Sequence, residues 1–207
     1  MSEIHATAII GNNVWIGENV TVGPYTIVSD NVTIGDGTQI YGHCSIGTPG
    51  ESIHYVPPEG SGVIIGKNCI IREFVTINNN LGEYKTKVGN GCYLMSKSHM
   101  GHDAVLEDNV VLCTGAKIGG HAVVGAFSYV GLNACTHQRS ELGKYCIIGA
   151  MAFFKGRSID GISWMGVPAK PKKVNLVSLT RNIEDSIMVE EARIAGENFI
   201  EGWNKNE

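Results

Sequence analysis

Positive charge is scarce in this chain: its 207 residues hold 16 Lys and Arg against 20 Asp and Glu, a formal net charge of −4. A protein that tracks a phosphate backbone needs a basic face, so no nucleic-acid partner is expected. No apolar run approaches the length of a membrane span. The N-terminus also lacks the basic and apolar regions of a secretory leader, and the expectation is a cytoplasmic protein with no membrane span. Six cysteines occur without a single CxxC pair, which argues against a zinc ribbon or a disulfide framework. Glycine, by contrast, is abundant: 27 residues, beside 43% hydrophobic content and a mean hydropathy of +0.02 that do not suit disorder. Glycine must therefore be placed regularly.

The regularity is a period of six. Aliphatic residues recur at Ile4, Ile10, Ile16, Val22, Val28, Ile34, Ile40 and Ile46, resume at Ile65, Ile71 and Ile77, and run from Val88 to Phe154, giving 23 repeats with one imperfect at Thr136. The fifth position of each repeat is small or β-branched, as in Val20, Thr26, Ala104 and Ala122. Four of the six cysteines, Cys44, Cys69, Cys92 and Cys146, stand there and read as core fillers. One large and one small inward position per repeat suits short parallel strands stacked in a solenoid, with Gly and Asn at the corners. The frame breaks at about residues 48–63 and 79–86, where Pro, Gly and polar residues mark loops leaving the solenoid. Their lengths exceed what a corner needs, which points to a site.

The β-helix is expected over residues 1–160, followed by a linker and helical segment over 161–207. From about Asn175 the apolar residues Leu176, Leu179, Ile183, Ile187, Ile194 and Phe199 take helical spacing. That face either caps the solenoid or meets a neighbouring subunit.

Four histidines, His99, His102, His121 and His137, fall in the long unbroken run of repeats. The steps from His102 to His121 and on to His137 each come close to three repeats, which predicts a rough column along one edge. Imidazole is the side chain best suited to take a proton near neutral pH. His102 leads because Asp103 follows it and is placed to fix its tautomer. Zinc is the rival use of clustered histidines, but the closely spaced histidine pair found in β-helical carbonic anhydrases is missing, and no metal is expected.

The six-residue repeat resembles the hexapeptide acyltransferase superfamily, which implies a left-handed parallel β-helix with three repeats per coil, against the usual hand of parallel crossovers. Within it, LMSKSHMGHDA, the GGH ending at His121, the THQ around His137, VNLVSLTR, SIG at 45–47 and IIREFVTIN resemble the UDP-N-acetylglucosamine O-acyltransferases of lipid A (lipopolysaccharide) synthesis. The resemblance covers most of the chain and is most like a 3-O-acyltransferase. It implies His102 as general base, Asp103 as its partner, and the Gly120 N–H as oxyanion donor. It places His99 and His121 at the acceptor or acyl group, His137 and Gln138 near the donor and sugar, and Asn175 and Arg181 at the nucleotide. A homotrimer is implied, with no permanent cofactor.

Three positions depart from that family: His54 stands in place of a lysine, Asn78 in place of a histidine, and Val177 in place of an acidic residue. Phe153, Phe154 and Lys155 lie where the family lines its acyl groove, pointing to a short acyl chain or to core packing. MGVPAKPKK is similar to the ending of coenzyme A-dependent sugar acetyltransferases, where Lys170, Lys172 and Lys173 would meet phosphates. Acyl carrier protein and coenzyme A thus both stand as thioester donors. The alternatives are N-acylation of a nucleotide-linked amino sugar, a non-catalytic scaffold and zinc hydration chemistry.

Overall fold

The computed structural model describes residues 1–53, 56, 58–82 and 85–205, and His54 lies outside them. The chain winds as a left-handed parallel β-helix with three sheets of ten, eight and seven strands. Glu3 pairs with Thr21 and Thr21 with Gln39, so each regular coil takes three six-residue repeats. The first face begins with Glu3–Ile4, the second with Ile9–Ile10 and the third with Trp15–Ile16.

Most strands are two residues long, so alternation sends one side chain out and one in. The inward residues Ile34, Ile46, Ile71, Leu94, Met100 and Leu112 are fully buried. Each contributes roughly 1.5–3 kcal/mol of hydrophobic stabilisation. Val20, Cys69, Cys92, Ala104 and Ala122 fill the small positions between them. Burial pushes the Cys44 and Cys146 thiols up to about 11, so they pack as small apolar groups and are poor nucleophiles.

The corners require a left-handed backbone conformation, and glycine supplies it less often than the sequence implies. Asn13, Asn31 and Asn109 have φ of 54°, 59° and 58°, but so do bulkier residues, with Tyr25 at 56° and Phe74 at 62°. Such a conformation costs roughly 1–2 kcal/mol outside glycine, offset here by the coils stacked on either side. Many corners also hold a side-chain cap from the next coil: the Asn12, Glu18, Asn90 and Lys144 amides donate to Asp30, Asp36, Asp108 and Asp160.

Both loops leave along the edge between the second and third faces. Thr33 pairs with Ile64, well past the position three repeats on, and the surplus chain is the first excursion. Val63 pairs with Thr86, a smaller surplus that forms the second. They emerge after strands Ser45–Thr48 and Thr76–Asn78 and return at Val63–Ile65 and Thr86–Val88.

Within the segment expected as a linker, strands Ile162–Met165 and Lys170–Val174 form an antiparallel hairpin that closes the first face. Helices α1 (Leu176–Asn182) and α2 (Ser186–Lys205) follow. Trp164 packs edge-on against Phe154 and Trp203, with ring centroids 4.9 and 5.3 Å apart, and Phe199 and Ile200 join the same core. The apolar face of α2 therefore caps the C-terminal end of the solenoid.

Candidate active site

The edge that carries both excursions also carries the histidine-rich corners of the next coils. His102 and Asp103 turn the chain from strand His99–Met100 to Val105–Leu106, and Gly120 and His121 make the corresponding turn one coil later. The expected column is corrected in register. A coil is three repeats, so His102 stacks on Gly120 and then Gln138, while Asp103 stacks on His121 and then Arg139; the backbone N–H groups of His121 and Arg139 donate to the His102 and Gly120 carbonyls, both at 2.9 Å. The histidines thus share an edge at three different corner positions.

Asp103 is the hub. Its Oδ2 lies 2.8 Å from His102 Nδ1 and 3.9 Å from His121 Nε2. The Leu81 and Gly82 N–H groups, from the second excursion, donate to Oδ2 and Oδ1 at 2.9 and 2.8 Å. Burial alone would raise the Asp103 carboxyl, but the Leu81 N–H, the His102 ring and the Gly82 N–H outweigh it and hold the carboxyl below its ordinary value. An ionised carboxylate on Nδ1 keeps the proton there and leaves Nε2 of His102 as the basic atom. The two imidazoles of His102 and His121 meet edge to face, 5.0 Å apart. Burial lowers the His121 pKa, Asp103 opposes it, and Arg139 and His102 add to the lowering.

Gly120 faces that basic nitrogen. A Cβ there would fall 2.7 Å from His102 Nε2. Its N–H occupies the corner position that Asp30 or Asp108 caps elsewhere, yet the residue one coil on is Gln138, and among the described residues the Gly120 N–H has no hydrogen-bond acceptor. The preceding amide, Gly119, donates to Thr136 Oγ1 at 3.1 Å, whereas its counterpart Gly101 donates to the Ile118 carbonyl. The imperfect repeat at Thr136 thus falls under a corner with an open amide beside a base.

His99 points outward from the second face, with Nδ1 2.8 Å from Thr76 Oγ1. Burial lowers its pKa, with Glu51 opposing and Lys117 adding to the effect. His137 sits further along the edge, its Nδ1 2.9 Å from the Gln138 carbonyl and its ring 6.0 Å from Phe153. Phe154, by contrast, is fully buried in the core. Lys155 is exposed beyond Phe153, while Lys170 and Lys173 stand on the antiparallel strand of the hairpin.

Asn175 and Arg181 are not brought to this edge. With Val111, Phe127 and Tyr129 they line a cavity of about 440 Å³ over the first face, on the opposite side of the triangular coil. Asn175 uses its amide locally: Nδ2 donates to the Tyr145 carbonyl at 2.8 Å, and Oδ1 accepts the Ser178 N–H as the cap of α1.

Ligand atoms of His102, Asp103 and His121 lie within 4.8 Å of one another, the group among the described residues best placed to hold a metal ion. Oδ2 of Asp103 already accepts from the Leu81 N–H and pairs with His102 Nδ1, while Oδ1 accepts the Gly82 N–H.

A rigid β-helix with a histidine–aspartate pair beside an open backbone amide defines an acyltransferase of the hexapeptide class. No family model matches the chain. It is 30% identical to the acyl-[acyl-carrier-protein]–UDP-N-acetylglucosamine O-acyltransferase of Campylobacter concisus over 92% of this chain and 73% of that protein. The protein of the same name from Campylobacter curvus is 32% identical, over 89% and 78%. Among solved structures, the LpxA of Acinetobacter baumannii superposes with a TM-score of 0.80 at 26% identity, covering 93% of this chain and 82% of that one. The UDP-N-acetylglucosamine acyltransferase of Campylobacter jejuni gives 0.78 at 29% identity, covering 93% and 82%. The chain belongs to the UDP-N-acetylglucosamine O-acyltransferase family.

Sequence reasoning missed the backbone donors of Leu81 and Gly82 and the hydroxyl of Thr136. A main-chain N–H leaves no mark in a sequence. Thr136 did leave one, as the single polar break in the aliphatic ladder.

Proposed function

We propose that this protein moves an acyl group from an acyl carrier protein thioester to a hydroxyl of UDP-N-acetylglucosamine, with His102 as general base and the Gly120 N–H as oxyanion donor. The relatives named above are O-acyltransferases with an acyl carrier protein donor, and neither coenzyme A nor an N-acylated product enters those names. The observation that carries the reading is His102 itself, tethered through Nδ1 to an ionised Asp103 with Nε2 turned toward Gly120.

In the reaction, Nε2 takes the proton of the sugar hydroxyl as its oxygen attacks the thioester carbonyl. The charge that develops on the carbonyl oxygen is met by the Gly120 N–H, a contribution of about 3–4 kcal/mol for a fixed donor of this kind. Collapse breaks the carbon–sulfur bond, and the leaving thiolate recovers the proton from His102. His99 and His121 flank the acceptor, while His137, Gln138, Phe153 and Lys155 lie along the edge where the acyl donor enters. Lys170 and Lys173, on the antiparallel strand of the hairpin, are the basic residues assigned to the donor's phosphate.

The working unit is a homotrimer. Support comes from the separation of Asn175 and Arg181 from the His102 edge: a nucleotide reaching both sets needs the first face of a second copy. The six cysteines are unpaired, as in a reducing cytoplasm, and among the described residues no helix is long and apolar enough to cross a membrane.

The test is a panel of acceptors, UDP-N-acetylglucosamine and a nucleotide-linked amino sugar, against acyl carrier protein and coenzyme A thioesters. Turnover of the first acceptor with the carrier protein, abolished by His102→Ala, is the expected result. Full activity of His102→Ala with every productive pair overturns the mechanism.

A further inference from the structure

Asn78, Asn79 and Asn80 form a polar run at the root of the second excursion, and they are only 4, 8 and 3% exposed. Each amide reaches a different strand of the surrounding chain. Asn78 Nδ2 donates to the Pro49 carbonyl at 3.0 Å, where the first excursion starts. Asn79 Nδ2 lies 3.4 Å from Ser61 Oγ, where that excursion ends. Asn80 spans both excursions: its Oδ1 accepts the Gly62 N–H at 2.8 Å and its Nδ2 donates to the Gly82 carbonyl at 2.6 Å.

A buried amide is costly unless both of its ends are satisfied, and in Asn80 both are. The partner at the donor end matters most. Gly82, held through its carbonyl, and Leu81 before it are the residues whose N–H groups grip the two oxygens of Asp103. Gly82 also lacks a Cβ where one would come within 2.9 Å of Asp103 Oδ1. The Asp103 N–H donates to Thr86 Oγ1 at 2.8 Å, so the far end of the same excursion is tied to the same residue.

We propose that Asn80 is a positioning residue for the catalytic pair: its buried amide holds the Gly82 carbonyl and so fixes the Leu81–Gly82 segment, whose two N–H groups set the Asp103 carboxylate that holds His102 in its Nδ1–H form. This rests on the assignment of His102 as base under the proposed function. The chain of contacts is Asn80 to Gly82, Gly82 and Leu81 to Asp103, and Asp103 to His102. Asn80, 3% exposed and paired at both ends of its amide, supplies the anchor for that segment.

The experiment uses the full chain with 15N-labelled histidine. NMR reports the tautomer of His102 without substrate, so the result is independent of whether the acyl donor and acceptor are correctly identified. Wild type is expected to show His102 in the Nδ1–H form, and Asn80→Ala and Gly82→Ala to shift it toward the Nε2–H form. Kinetics on the productive substrate pair should show kcat lowered about 10-fold with KM changed less than about two-fold, the mark of a misplaced base. In an Asp103→Ala background, adding Asn80→Ala should lower kcat no further, because the route to His102 is already cut.

An unchanged tautomer in both variants overturns the proposal, as does an equal further loss of kcat in the Asp103→Ala background. If Asn80→Ala fails to fold, Asn80→Asp carries the test, since it keeps an acceptor for the Gly62 N–H and removes only the donor to the Gly82 carbonyl, and an unchanged His102 tautomer in that variant likewise overturns the proposal. A fully active His102→Ala would sink the acyl-transfer mechanism instead, while the tautomer measurement still decides the role of Asn80.

Discussion

His102 and Gly120 are one full coil apart, and the space a methyl group on Gly120 would fill lies 2.7 Å from His102 Nε2. The glycine is thus required by the imidazole above it and not by its own backbone angle. Gly120→Ala is expected to push the imidazole aside and lower kcat about 10²-fold while leaving the melting temperature within a few degrees. Steady-state kinetics beside a thermal melt checks this, and a fully active Gly120→Ala enzyme would contradict the arrangement.

Removing the proposed base is the more severe change. His102→Ala should cost about 10²–10⁴ in kcat, the usual range for a positioned general base. Asp103→Asn keeps the left-handed corner at φ 58° but offers His102 Nδ1 an N–H donor, which favours the Nε2–H tautomer, and a loss of comparable size is expected. Comparing kcat for the two variants checks this, and near-wild-type turnover in Asp103→Asn would contradict the role given to the carboxylate.

Acid should destabilise the fold in two stages. His99 and His121 are held below their ordinary value of 6.5, chiefly by burial, so the unfolded chain binds protons first and the stability they contribute is lost as pH falls below 6.5. Asp103, held below 3.8, contributes stability that is present above that value and lost as pH falls through its lowered pKa. Thermal melts from about pH 8 down to about pH 3 should show both declines, with the first reduced in His99→Gln. A melting temperature that rises on acidification through that first range would contradict the direction of the histidine shifts.

The cap at the C-terminal end should carry much of the stability. Trp164 is 1% exposed, its Nε1 donates to Ser158 Oγ at 2.7 Å, and its ring meets Phe154 and Trp203. Trp164→Ala is expected to cost about 3–5 kcal/mol, measured by denaturant unfolding. A loss below about 1 kcal/mol would mean that α2 does not cap the solenoid.

If the site is shared between copies, two inactive variants should complement. His102→Ala and Arg181→Ala, unfolded and refolded together, should regain activity that neither has alone, because some interfaces then pair an intact edge with an intact first face. No recovery in mixed oligomers confirmed by mass would place the whole site within one copy.

Much of the solenoid was legible because its rule is local: one large and one small inward residue in every six, visible from Ile10 to Phe154. The candidate site was legible where it consists of side chains: His102, Asp103 and His121 do meet at one edge, with His99 on the adjoining face. Register was less so, since the near-regular steps from His102 to His121 to His137 look like a column until a coil of three repeats shows that His102 stacks on Gly120. The left-handed corners at Tyr25, Phe74 and Asp103 were hidden too, because stacking between coils holds conformations that residue preference disfavours. The N–H groups of Leu81 and Gly82 were hidden for a plainer reason: any residue but proline has one.

Phe154, Trp164, Phe199 and Trp203 seal the stack at its C-terminal end. Coils that touch only their neighbours open cooperatively with them, so loosening that seal should speed amide exchange in the last coils first. His102 lies a few coils short of the seal, between fully buried inward residues, Leu94 and Met100 before it and Leu106 and Leu112 after it, which places the candidate base in the part of the ladder that breathes least.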